Sequence, residues 1–181
     1  QSTMNNHTAT HLMYKALKYI LGDHVNQAGS LVHPDYLRFD ITHFEKITAD
    51  QIIEIESIVN QQILLNTKLD VTIKSFDDAK AAGAEALFGE KYGDEVRVVR
   101  VGDYSLELCG GTHVKQTGDI GSFKVTEEAS LSSGVRRIVA ITGQKAVEEM
   151  QSNATVLLTL QQLLNTPPSG MAERISILLQ E

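Results

Sequence analysis

Apolar residues recur at helical spacing from Asn6 to Leu21, where Leu12, Met13, Ala16, Leu17, Ile20 and Leu21 form one stripe and Gly22 supplies a stop. The stretch Ser30–Thr42 has strand character divided by Pro34-Asp35, which predicts a hairpin. Thr48 followed by Gln51 reads as a capping box that opens a helix to about Asn66, with Ile52, Ile55, Val59 and Ile63 along one face. Leu69–Ser75 reads as a strand, and Phe76–Ala82 as a short helix closed by Gly83. Glu95–Val101 and Tyr104–Leu108 flank Gly102-Asp103, a hairpin turn. Two further strands are predicted at Ile120–Glu127 and Val135–Thr142.

Beyond Gly143 the pattern changes. Val147, Met150, Ala154, Leu157, Leu158, Leu160 and Leu164 predict a long helix, the run from Thr166 to Gly170 breaks it, and another helix starts near Met171. The fold class is therefore α+β. It consists of a mixed or antiparallel sheet with packed helices over residues 1–143, and a C-terminal helical extension over residues 144–181. Internal repeats and low-complexity segments are absent.

Composition narrows the function. The chain has 181 residues and is 42% hydrophobic, which suits one domain with an appendage. No apolar run approaches the roughly 20 residues of a membrane span, and the N-terminus lacks the pattern of a signal peptide. A single cysteine cannot form an internal disulfide, so a reducing, cytoplasmic setting is expected. The net charge of −7 does not advertise a nucleic-acid partner.

The chemistry concentrates in two pairs, His7-x3-His11 and Cys109-x3-His113. His7 and His11 stand one helical turn apart and project from one face, well over ~90° from the apolar stripe at about 100° per residue. That separation weakens the alternative of two ordinary core histidines. Cys109 ends a strand, and Gly110-Gly111 lets the backbone turn sharply, so that the sulfur and the His113 ring can meet. Three imidazoles and one thiolate form a tetrahedral zinc set. His24, His33 and His43 have no partners at ligand spacing and read as surface or loop residues. A zinc protease would need Glu directly after the first histidine, where Thr8 stands, and the GEKYG run at Gly89–Gly93 is not a phosphate-binding loop.

The segments HTATHLMYKAL, NQAGSLV, LRFD, ALFGEKYGDEVRVV, ELCGGTHV, TGDIG and GVRRI follow one another in a single order. From about Asn6 to Gly143 they resemble the editing domain of alanyl-tRNA synthetases. Freestanding alanyl-tRNA editing proteins share the two zinc motifs, and the editing domain of threonyl-tRNA synthetase is a more distant relative. The ALFGEKYGDEVRVV segment and the helical tail favour a fragment of the synthetase. The ATP-binding aminoacylation core would then lie upstream of residue 1 and a C-terminal domain downstream.

The resemblance implies zinc-dependent deacylation of tRNA(Ala) mischarged with serine or glycine. By resemblance Gln27 belongs to the editing pocket, and Thr10 and Ser30 line it. Arg38, Arg136 and Arg137 are candidates to hold the tRNA 3′ end, and with Asp40 they are equally candidates to pair with one another. The competing readings are a freestanding hydrolase and a zinc-stabilised tRNA-binding module without chemistry.

Overall fold

The computed structural model describes residues 1–86 and 93–180. Residues 87–92, within the ALFGEKYG and GEKYG runs, lie outside them. Two compact units are present, Gln1–Gln144 and Lys145–Glu181.

The first unit is α+β and contains two antiparallel sheets where the sequence predicted one. The four-stranded sheet has the order β1-β2-β7-β6 and the three-stranded sheet the order β3-β4-β5. In the first, β1 (Gln27–Val32) and β2 (Leu37–Thr42) form the expected hairpin, but β1 starts at Gln27, three residues before the predicted edge. The register shifts between Gln27 and Gly29, a bulge that interrupts the alternation by which the strand is recognised. β6 (Phe123–Ser132) and β7 (Val135–Thr142) complete the sheet. Ile120, predicted to open a strand, instead ends a 3-10 turn, Thr117–Ile120, and is fully buried there. The second sheet contains β3 (Leu69–Ser75), β4 (Glu95–Val101) and β5 (Ser105–Leu108), with Gly102 at φ 50 in the β4–β5 turn.

Helix α1 spans Ser2–Leu21 and α2 spans Ala49–Leu64, the latter opened by the predicted Thr48–Gln51 capping box. Leu12, Met13 and Leu17 of α1 meet Phe39, Ile41, Ile138 and Phe123 of the four-stranded sheet, Ile55 and Val59 of α2, and Val99 and Val101 of β4. Each fully buried Leu, Ile or Phe here contributes about 1.5–3 kcal/mol. A smaller cluster of Ala79, Val96, Val98 and Leu108 lies under α3 (Phe76–Ala81).

α1 is covered on more than its apolar stripe. Asn6, Thr8, Thr10 and His11 are also buried. Buried polar groups need partners, and these have them. Asn6 donates to the carbonyls of His33 and Pro34 and accepts from Thr142, and Thr10 Oγ1 donates to the Asn6 carbonyl. Asn6 thus ties the helix that carries the histidines to the β1–β2 turn.

The second unit holds most of α4 (Gly143–Leu164), a break at residues 165–170, and α5 (Met171–Leu178). Val156, Leu158 and Leu163 are exposed in it. No described helix is long and apolar enough to cross a membrane.

Candidate metal centre

The four predicted ligands converge. One ligand atom from each of His7, His11, Cys109 and His113 lies within 4.8 Å of the other three. Cys109 Sγ is 3.4 Å from His7 Nε2 and 3.3 Å from His113 Nε2. Burial alone would push the Cys109 thiol up, but the surrounding imidazoles outweigh it and bring its pKa down to about 3. Burial lowers His113, helped by repulsion from His11 and His7 against the pull of the thiolate. A thiolate beside a neutral imidazole is the ionisation a metal requires.

The hydrogen bonds around the cluster test the fit. His11 Nδ1 is bonded to Glu107 Oε2, and Glu107 Oε1 lies 2.7 Å from Ser105 Oγ. His113 Nδ1 contacts Thr8 Oγ1 at 3.2 Å. Both rings therefore turn Nε2 toward the sulfur. His11 Nε2 is buried and, among the described residues, has no hydrogen-bond partner. An orphaned buried nitrogen aimed at a thiolate and two further imidazoles fits a zinc ion. Burial lowers the His11 pKa, but the Glu107 and Cys109 charges more than reverse this, so the spot favours positive charge.

The turn that presents Cys109 is held from outside. Arg97 donates from Nη1 to the carbonyls of Cys109, at 3.1 Å, and Gly111. Neither Gly110 nor Gly111 has a positive φ, so the turn there is not a left-handed one. Gly111 is needed for space, because a Cβ there would overlap the His7 ring, whereas one at Gly110 meets nothing within 4 Å.

A cavity of about 440 Å³ opens beside the cluster, lined by His7, His11 and Cys109, by Thr10, Gln27 and Ser30, and by Tyr14, Phe39 and Glu107. This brings together all three residues assigned to a pocket from sequence. In β1, Gln27 stands opposite Ile41 and Ser30 opposite Phe39, on the face turned to α1. The arginines lie apart from this lining. Arg137 makes a two-point ion pair with Asp40 at 2.8 and 2.9 Å, Arg38 Nε lies 3.7 Å from Asp40, and Arg136 is bonded to Glu128. His24 and His43, read as ordinary loop histidines, are instead bonded to each other at 2.8 Å, with His43 buried.

Sequence reasoning passed over Glu107, Ser105, Thr8 and Arg97. A signal existed for the first two. Ser105, Glu107 and Cys109 alternate at the strand period, so one face presents all three.

Comparison with known proteins follows the same residues. The family model described as the threonyl and alanyl tRNA synthetase second additional domain matches residues 96–139, from β4 into β7, and includes Cys109 and His113. Over nearly the whole chain the sequence is similar to alanine–tRNA ligases. It is 55% identical over 180 residues to that of Alkaliphilus oremlandii, 53% over 181 to that of Fervidobacterium nodosum, and 51% over 175 to that of Idiomarina loihiensis. These alignments take in 99%, 100% and 97% of this chain but only 20%, 21% and 20% of the relatives. The chain is homologous to a fragment of the alanine–tRNA ligases, and it spans about one fifth of the length of the relatives it matches.

Proposed function

We propose that this chain is the editing portion of an alanine–tRNA ligase, working in the cytoplasm, and that it hydrolyses the ester of tRNA(Ala) mischarged with serine or glycine. The observation that carries the reading is the shared cavity. Thr10, Gln27 and Ser30 line the same space as three of the four metal-ligating residues.

His7, His11, Cys109 and His113 would hold zinc, which when bound supplies a Lewis acid for the ester carbonyl or for orienting the terminal ribose. The protein groups supply selectivity. An aminoacylation pocket shaped for alanine rejects glycine and serine poorly, because one methyl or one added hydroxyl changes binding little. A second pocket that hydrogen-bonds the serine hydroxyl excludes alanine by leaving its own polar groups unpaired. Gln27, Ser30 and Thr10 offer such groups. The Thr10 hydroxyl donates to the Asn6 carbonyl, so it is left as an acceptor toward the cavity. Tyr14 and Phe39 form the apolar wall.

Arg38 and Arg137, with side chains 32% and 28% exposed, keep guanidinium surface for the tRNA backbone, and Arg136 at 12% offers less. With a net charge of −7, much of the tRNA affinity would come from the rest of the ligase. Residues 1–143 act as the editing domain and 144–181 as the helical link toward a C-terminal domain.

The test is deacylation of seryl-tRNA(Ala) and alanyl-tRNA(Ala) by the zinc-loaded chain, beside a Cys109→Ala/His113→Ala double variant. The seryl ester should be cleared faster than the alanyl ester by wild type, and the double variant should lose both zinc and activity. Binding of the tRNA without hydrolysis would make the chain a recognition module. Undiminished zinc content in the double variant would refute the metal site.

A further inference from the structure

The three histidines of the cluster are not held alike. His113 Nδ1 meets a neutral hydroxyl, that of Thr8, at 3.2 Å. The Nδ1 of His7 makes no hydrogen bond among the described residues. Among the described residues, His11 is the one of the three whose Nδ1 meets a carboxylate, that of Glu107. That carboxylate is itself fixed. It lies 4% exposed on β5, and its other oxygen takes the Ser105 hydroxyl at 2.7 Å.

A carboxylate buried this deeply is costly to retain unless it is paired and hydrogen-bonded. Among the described residues its hydrogen-bond partners are the Ser105 hydroxyl and one ring nitrogen of His11, whose other nitrogen is buried, without a partner and aimed at Cys109. Satisfying a core histidine would need only a carbonyl or a hydroxyl, as at His113. A full negative charge does two further things. It fixes the tautomer with the proton on Nδ1, and it makes Nε2 a stronger donor to a cation.

We propose that Glu107, clamped by Ser105, is a positioning residue that acts through His11 to set the affinity and electronic character of the metal centre. This rests on the metal reading above but not on the editing reaction. Glu107 also lines the cavity, so a change in its charge reaches both the metal and the space beside it.

The experiment uses the full 181-residue chain with Glu107→Gln, Glu107→Ala and Ser105→Ala. Zinc affinity is measured by competition with a chromophoric chelator, and the ligand field by the visible spectrum of the cobalt(II)-substituted protein. Circular dichroism checks folding. Glu107→Ala should weaken zinc binding by about 10–100-fold, the usual cost of losing such a partner. Glu107→Gln keeps an acceptor oxygen without the charge and should fall between Ala and wild type. Ser105→Ala should lose less than tenfold. The cobalt bands should move in both Glu107 variants.

A purely structural carboxylate would lower thermal stability while leaving affinity and spectrum at wild-type values, and that result overturns the proposal. If Glu107→Ala does not fold, Glu107→Gln decides alone, and zinc affinity within twofold of wild type overturns it. A wild-type chain that binds no zinc also overturns it. Failure of seryl-tRNA hydrolysis alongside the expected affinity ladder removes the editing reading and leaves this one standing.

Discussion

Replacing Gly111 by alanine isolates the geometry of the metal centre in a single methyl group. The added Cβ would overlap the His7 ring, a contact that packed atoms do not make. Arg97 and the Cys109–Arg97 backbone bond hold the turn against retreat. The ring must therefore move, and one of four ligands is misplaced. Structural zinc sites in small peptides bind with about 10–16 kcal/mol at neutral pH, so an even share per ligand is roughly 2.5–4 kcal/mol. At 1.4 kcal/mol per factor of ten, zinc affinity should fall on the order of 10²–10³-fold. Gly110→Ala is the matched control, because its Cβ meets nothing within 4 Å and it should bind zinc as wild type does. Glycine-to-alanine changes usually stabilise by about 0.4–1 kcal/mol through the unfolded chain, so any loss at position 111 reports the clash. Chelator competition on the two variants gives the answer. Wild-type zinc affinity in Gly111→Ala would show that His7 is not a ligand or that the turn is not held as described.

Three other outcomes are expected. Thr10→Val and Gln27→Ala should each slow clearance of seryl-tRNA(Ala) by one net hydrogen bond, about 0.5–1.5 kcal/mol or roughly 2–13-fold, with alanyl-tRNA hydrolysis equal or faster. An unchanged ratio and rate in both would remove them from substrate recognition. Asn60 exchanges hydrogen bonds with Phe123 N and O, each at 2.9 Å, and pins α2 to the start of β6. Asn60→Ala should destabilise by about 1–3 kcal/mol in urea titration without altering zinc affinity. Burial, and then the neighbouring His24, depress the His43 pKa, with Arg136 acting in the same direction and Glu45 and Glu128 opposing. A depressed folded pKa means that the unfolded chain takes up protons first. This contribution is therefore complete above the ordinary value near ~6.5 and is lost as pH falls through the lower folded value. The melting temperature of zinc-loaded protein should drop less between pH 7.5 and pH 5 in His43→Gln than in wild type, and equal drops would refute the assignment.

Local pattern carried the elements of this protein. The Thr48–Gln51 box, the 3.6-residue stripe of α1 and the strand pairs about Pro34-Asp35 and Gly102-Asp103 are short-range features, and each lies where its chemistry put it. The four candidate metal ligands were legible for the same reason, since the members of each pair lie four positions apart. Tertiary structure decided how the pairs meet and what supports them. Periodicity reports which face of a helix is apolar, but not whether a second sheet covers the other face. In α1 that face is covered too, by the β1–β2 turn and β7 as well as by the second sheet, and the buried Asn6, Thr8, Thr10 and His11 each find a partner. Thr8 reaches His113 across 105 positions, and His11 reaches Glu107 across 96. The bulge that carries Gln27 into β1, the turn that takes Ile120 out of β6, and the pairing of His24 with His43 also lie outside local pattern. In each case burial and hydrogen bonding to residues distant along the chain outweighed the local preference. For the same reason the sequence could name the candidate ligands, while only the fold showed that Glu107 bonds His11 and that a Cβ at Gly111 would overlap the His7 ring.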